Sequence, residues 1–164
     1  KNIKKKELMH MKSFEEYKEE LDEHGRINSI TMGCGIYKIY MPQNFQIVIT
    51  SETDAIKEYK GKTLLYSVQK LEDKWEIIRS ADRGGILYIG KADNLRKRIT
   101  EFIKYGYGER VPHRGGRAIW QLKNNKKLLI EIEPCEKPRE KERQFLIEYY
   151  EKYTYFLIKS DFSC

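Results

Sequence analysis

The stretch Ile86-Leu87-Tyr88-Ile89-Gly90-Lys91-Ala92-Asp93-Asn94-Leu95-Arg96-Lys97-Arg98-Ile99 changes its periodicity in the middle. Ile86 to Gly90 is a short apolar run of β-formers, with a break at Gly84-Gly85 ahead of it. Beyond it, Leu95, Ile99, Phe102 and Ile103 recur at helical spacing, and Asp93 is expected to cap that helix. A strand feeding a helix is therefore the central unit. Upstream, Gly35-Ile-Tyr-Lys-Ile-Tyr alternates like a strand. Phe45-Gln-Ile-Val-Ile-Thr does too, with Pro42-Gln-Asn between them, so the two runs predict a hairpin. Ser51–Tyr59 reads as a short helix, and Val68, Leu71, Trp75 and Ile78 predict a helix over Ser67–Arg79.

Downstream lie a Gly/Tyr-rich loop over Tyr105–Gly116, a helix carrying Ala118, Ile119 and Leu122, a strand at Leu128–Ile132, and a long helix from Pro138 to Tyr153. Ser13 followed by Glu16 forms a capping-box signature for an N-terminal helix ending near Gly25. The order predicts an α+β domain, a small mixed sheet with helices on its faces.

The chain has 164 residues, 40% hydrophobic and 12% aromatic, which suits one folded domain rather than a disordered chain. No apolar run is long enough to span a membrane, and no apolar segment follows the basic N-terminus as a secretory signal requires. Cys34, Cys135 and Cys164 are far apart and show no paired spacing, which speaks against a disulfide framework or zinc knuckle and suits a reducing, cytoplasmic setting.

The net charge of +7 is concentrated in the middle of the chain. Between Lys91 and Lys127 there are eleven Lys/Arg against three acids, interleaved with Phe102, Tyr105, Tyr107 and Trp120. This block reads either as a polyanion-binding face or as a solvated surface.

Three kinds of residue stand out within this frame. Glu142 projects onto the same helical face as Phe145, Leu146, Tyr149, Tyr150 and Tyr153. A carboxylate there requires a partner, either a salt bridge at the core edge or a metal. Arg98 flanks the apolar stripe of its helix, with Arg96 on the other flank and Lys97 pointing away. Its guanidinium suits two phosphate oxygens, and equally a structural Arg–Glu pair. Tyr37 and Tyr88 sit on strands whose adjacency puts both phenols on one face, although Tyr is an ordinary strand residue. Lys91 is expected to lower the pKa of a nearby phenol.

Gly35-Ile36-Tyr37, Tyr88-Ile89-Gly90 with Lys91, then Asn94-Leu-Arg-Lys-Arg98 and the late Glu142 resemble the GIY-YIG nuclease superfamily in order and spacing. His113-Arg-Gly-Gly-Arg-Ala-Ile-Trp-Gln-Leu and Pro138-Arg-Glu leading to Glu142-Arg-Gln-Phe-Leu-Ile look like a subgroup of stand-alone bacterial members. The likeness runs from about Gly33 to Tyr153. It implies a three-stranded antiparallel sheet flanked by helices, cutting DNA phosphodiester bonds with one Mg²⁺ or Mn²⁺. On that resemblance Glu142 ligates the metal, Arg98 stabilises charge on the scissile phosphate, and Tyr37 is the base with Tyr88 beside it and Lys91 assisting. His113 contacts phosphate or leaving group, and Arg96, Arg110, Arg114, Arg117 and Lys123 bind substrate. Residue 102, where many members have histidine, is Phe102. The implied organisation is an N-terminal helical extension (1–32), a nuclease domain (33–154) with an insertion (42–85) as a DNA- or partner-binding lobe or a stabilising patch, and a tail (155–164). The rival readings are a domain of this type that grips nucleic acid without cutting, and a structural or protein-interaction domain.

Overall fold

The computed structural model describes residues 11–79, 85–111, 116–153 and 158–159. In chain order the elements are β1 (Lys12–Ser13), α1 (Phe14–His24), β2 (Gly35–Tyr40), β3 (Glu58–Tyr59), β4 (Lys62–Thr63), α2 (Val68–Arg79), β5 (Ile86–Ala92) and α3 (Leu95–Gly106). Two 3-10 turns follow, Arg117–Gln121 and Asn125–Lys127, then β6 (Leu129–Pro134), α4 (Pro138–Tyr153) and β7 (Ile158–Lys159). The α+β class is as expected.

The sheet is wider than the three strands implied. Its order is β1-β6-β2-β5-β7, antiparallel except for the β5–β7 pair, with β3 and β4 forming a separate ribbon. The three long strands are central, and each outer strand has only two residues.

The hairpin expected between the 35–40 and 45–50 runs does not form. Strand β2 already has β5 on one edge and β6 on the other, so no edge is left for a third partner. Residues 45–50 instead bury Ile47 and make one isolated bridge, Ile49 to Leu122. Nor is 51–59 helical: Thr53 donates its hydroxyl to Trp120 O, and the segment runs into β3.

The two faces of the sheet have different occupants, as the alternation of side chains requires. Tyr37 lies opposite Gly90 and Ile39 opposite Tyr88, so both tyrosines leave the same face. That face joins the main core with Leu95, Ile99, Phe102 and Ile103 of α3. Ile36, Ile89 and Lys91 leave the other face, where Leu146 and Tyr149 of α4 cover Ile36 and Ile89.

The N-terminal helix packs into the main core. Its capping box is complete: Glu16 N–H donates to Ser13 Oγ and Ser13 N–H to a Glu16 carboxylate oxygen, with Gly25 ending the helix at φ +71°. The helix then commits Phe14, Tyr17 and Leu21 to the same core that holds Tyr37 and Tyr88. The insertion joins this core as well through Ile47, Ala55, Leu71, Trp75 and Ile78. Gln121 fastens it with two bonds, accepting from Tyr66 N–H at 2.8 Å and donating to Tyr66 O at 3.0 Å. One core thus spans the proposed extension, domain and insertion; the 155–164 tail lies outside the described residues except for β7.

Candidate active site

Tyr37 and Tyr88 meet across the β2–β5 pair with their hydroxyl oxygens 3.4 Å apart and ring centroids 5.8 Å apart. Gly90 makes this possible. A Cβ there would lie 2.4 Å from Tyr37 Cζ, so the ring rests directly on the Gly90 backbone. Gly90→Ala is therefore expected to force the Tyr37 ring aside and cost ~1–3 kcal/mol by overpacking. Chemical denaturation together with the near-UV tyrosine signal would check it.

Both phenols are almost completely buried, and this sets their acidity. Burial pushes Tyr37 up; the bond from Tyr88 and the positive charge of Arg98 oppose it, and the negative charge of Glu142 adds to it. Tyr88 is driven higher still, by burial first and then by its neighbour Tyr37. The expected lowering by Lys91 is not found, because its ammonium is engaged elsewhere: it donates to Glu142 Oε2 at 3.0 Å. Tyr105 and Tyr107 are also pushed up by burial, each to about 12. For a phenol raised in the folded state, the stability it contributes is intact below the unfolded pKa of ~10 and is lost as pH rises towards the folded value. Melting temperature should therefore fall progressively above pH ~10, to be measured by thermal scans from neutral to alkaline pH.

Glu142 is buried, as its place on the apolar face requires, and its partner is Lys91 rather than an Arg. Helix α4 covers the sheet face opposite the phenols, so the Glu142 carboxylate acts on them through its charge. Arg98 acts on both phenols from α3. The site therefore draws on β2, β5, α3 and α4.

Beside it opens a cleft of about 630 Å³ whose lining holds five basic side chains, among them Arg98, Lys137 and Arg139, against the three acids Asp93, Glu101 and Glu140. It lies between the first turns of α3 and α4, whose dipoles add positive potential. The α3 cap is Asn94, which accepts from Lys97 N–H at 3.0 Å, and not the adjacent Asp93. Lys97 was expected to face away, yet it lines this cleft. Lys137 and Arg139 were not singled out; the only signal was a basic pair straddling the helix-opening Pro138.

The basic block does not form one face. Arg96 spends its Nε on Ile30 O at 2.8 Å. Arg117 lies over the Tyr66 ring and donates to its hydroxyl at 3.2 Å, bracing the insertion. Lys123 lines a separate groove with Lys126 and Lys127, and Arg110 is exposed. His113 and Arg114 lie outside the described residues. Phe102 is completely buried, edge-on to Phe14 with centroids 5.2 Å apart, so the position is packing in this chain.

For a divalent cation, the donor set is one buried carboxylate; no group of three or more His, Cys, Asp or Glu gathers among the described residues. One carboxylate suits a hard ion of the magnesium kind, which takes one or two carboxylates and fills its remaining sites with water and phosphate oxygens. Among the described residues no helix is long and apolar enough to cross a membrane. No family model, no curated protein and no solved structure matches the chain.

Proposed function

We propose that the chain is a GIY-YIG-type endonuclease that hydrolyses DNA phosphodiester bonds with a divalent cation. The observation that carries this reading is that the paired Tyr37 and Tyr88 feel the charges of Arg98 and Glu142, while Arg98 and Lys91, the partner of Glu142, line one cleft in which basic side chains outnumber acidic ones. The three central antiparallel strands with helices on both faces suit it as well.

A phosphodiester in the cleft would place its non-bridging oxygens against the Arg98 guanidinium, whose fork matches them. Tyr37 is the better base of the two phenols. Tyr88 can donate its hydroxyl to a Tyr37 phenolate, while Tyr88 is held more firmly protonated. Tyr37 is only 1% exposed, so its cover must open as substrate enters for its oxygen to take a proton from water. Glu142 would hold Mg²⁺ or Mn²⁺, which when bound supplies Lewis-acid stabilisation of charge on the phosphate. Lys91 then balances the Glu142 carboxylate or follows the phosphate.

Plasmid DNA incubated with Mg²⁺ or Mn²⁺ should be nicked, and Arg98→Ala should slow this by ~10²–10³-fold, the usual cost of losing one charge-stabilising donor. Nicking that is unaffected by Arg98→Ala would remove Arg98 from the site. The second reading, a domain that binds nucleic acid without cutting it, is favoured by the covered, protonated phenols and by the neutralisation of Glu142 by Lys91. It gives salt-dependent DNA retention with no metal-dependent nicking.

A further inference from the structure

Two cysteines far apart in sequence lie side by side in the fold. The β2–β6 ladder ends with Gly35 opposite Pro134, and the next step of the register puts Cys34 opposite Cys135. Cys135 N–H donates to Cys34 O at 3.1 Å, and Cys34 Sγ lies 2.9 Å from Cys135 O. Directly opposed residues of an antiparallel hydrogen-bonded pair have Cα atoms about 5.5 Å apart, inside the span a disulfide bridges. Side-chain alternation sends both thiols to the face that carries Ile36, and Cys135 packs there against the Ile36, Ile89, Leu146 and Tyr149 cluster. Both are reduced and only half-buried, within reach of a small oxidant.

We propose that Cys34 and Cys135 are a reversible dithiol–disulfide pair, which on oxidation clamps the start of β2 to the segment leading into α4. The co-reactant is a low-molecular-weight disulfide of the glutathione class. One cysteine thiolate attacks it, forms a mixed disulfide and releases one small thiol. The second thiolate then attacks the protein sulfur of that mixed disulfide and releases the other. Two protein thiols thereby lose two protons and two electrons, and the small disulfide is reduced to two thiols. The bond requires Cys34 Sγ to turn away from the Cys135 carbonyl within a hydrogen-bonded register. Both sulfurs are half-buried, which leaves the bond open to small thiols and keeps it reversible. The clamp stands three residues before Tyr37 and two before Lys137 of the cleft, yet its chemistry is independent of the nuclease reading.

The test uses the full chain carrying Cys164→Ser, so that only this pair of thiols remains. After exposure of the folded protein to oxidised glutathione, both thiols should disappear and the intact mass should drop by two hydrogen atoms. Peptides containing Cys34 and Cys135 should be cross-linked. The melting temperature should rise by roughly 5–15 °C, as closing a loop of about a hundred residues implies, and dithiothreitol should reverse it. Cys34→Ser and Cys135→Ser should each stop at a single glutathione adduct. Persistent adducts on the two-cysteine protein, thiols that stay free until the chain is unfolded, or a cross-link that leaves the melting temperature unchanged would overturn the proposal.

Discussion

Glu142→Gln is expected to reduce Mg²⁺- or Mn²⁺-dependent nicking by at least ~10³-fold while leaving the melting temperature within about 4 °C of the parent. The substitution keeps the shape of the side chain and an oxygen for the Lys91 ammonium, which now bonds Oε2 at 3.0 Å. Only the charge is lost. Lys91 is 37% exposed and can turn to water, so the lost ion pair is worth little to the fold, in the range of ~0–1 kcal/mol typical of accessible pairs. For the chemistry, Glu142 is the only carboxylate placed to act on both phenols from beside the cleft among the described residues. Chelation of the metal from the parent should reproduce the loss. DNA retention should hold or tighten, because a negative charge beside a polyanion has been removed. Unchanged nicking would mean the acid is misassigned, whereas tighter binding with no nicking in either protein would favour the binding module.

The elements whose local pattern determines their structure were legible in the sequence. The Ser13–Glu16 capping box, the Val68–Ile78 stripe, the Ile86–Gly90 run and the helix opening at Pro138 all formed where the residues require. Pairing was harder to read, because alternation shows that a segment is a strand and not which strand lies beside it. Gly35–Tyr40 pairs with β5 and β6 from far along the chain, and the neighbouring Phe45–Thr50 run is left to pack as an irregular segment. The same blindness to distance hid the juxtaposition of Cys34 and Cys135. Helical projection placed Glu142 correctly as a buried acid, but its partner was a lysine on a strand that no helical wheel contains. The basic block misled because charge adjacent in sequence is dispersed by the turns after α3: Arg98 reaches the cleft, Arg117 the insertion and Lys123 another groove.

The greatest loss of stability is expected at Trp120, which is 1% exposed and stands with its ring centroid 4.9 Å from Phe14, 5.0 Å from Phe102 and 6.1 Å from Tyr107. It is also pressed onto Gly106, where any Cβ would fall 2.1 Å from its ring. Trp120→Ala empties a site bounded by α1, α3 and the chain after the Gly/Tyr loop, and none of these can collapse into it without leaving its own partners. The cost should be ~3–5 kcal/mol, which in a chain of this length lowers the melting temperature by roughly 6–20 °C. Trp120→Phe should cost far less, because the buried indole Nε1 has no hydrogen-bond partner among the described residues and its removal leaves none of them unsatisfied. The two kinds of variant then separate scaffold from chemistry. Phe102 stands one helical turn beyond Arg98 on α3, so the aromatic cluster fixes the helix that aims the guanidinium. At low temperature, where Trp120→Ala is still folded, nicking should stay within ~10-fold of the parent, and it should vanish as the melting transition is approached. Glu142→Gln should be inactive at every temperature. If Trp120→Ala melted like the parent, the N-terminal helix would not be docked through this cluster, and the single core joining it to the sheet would have to be abandoned.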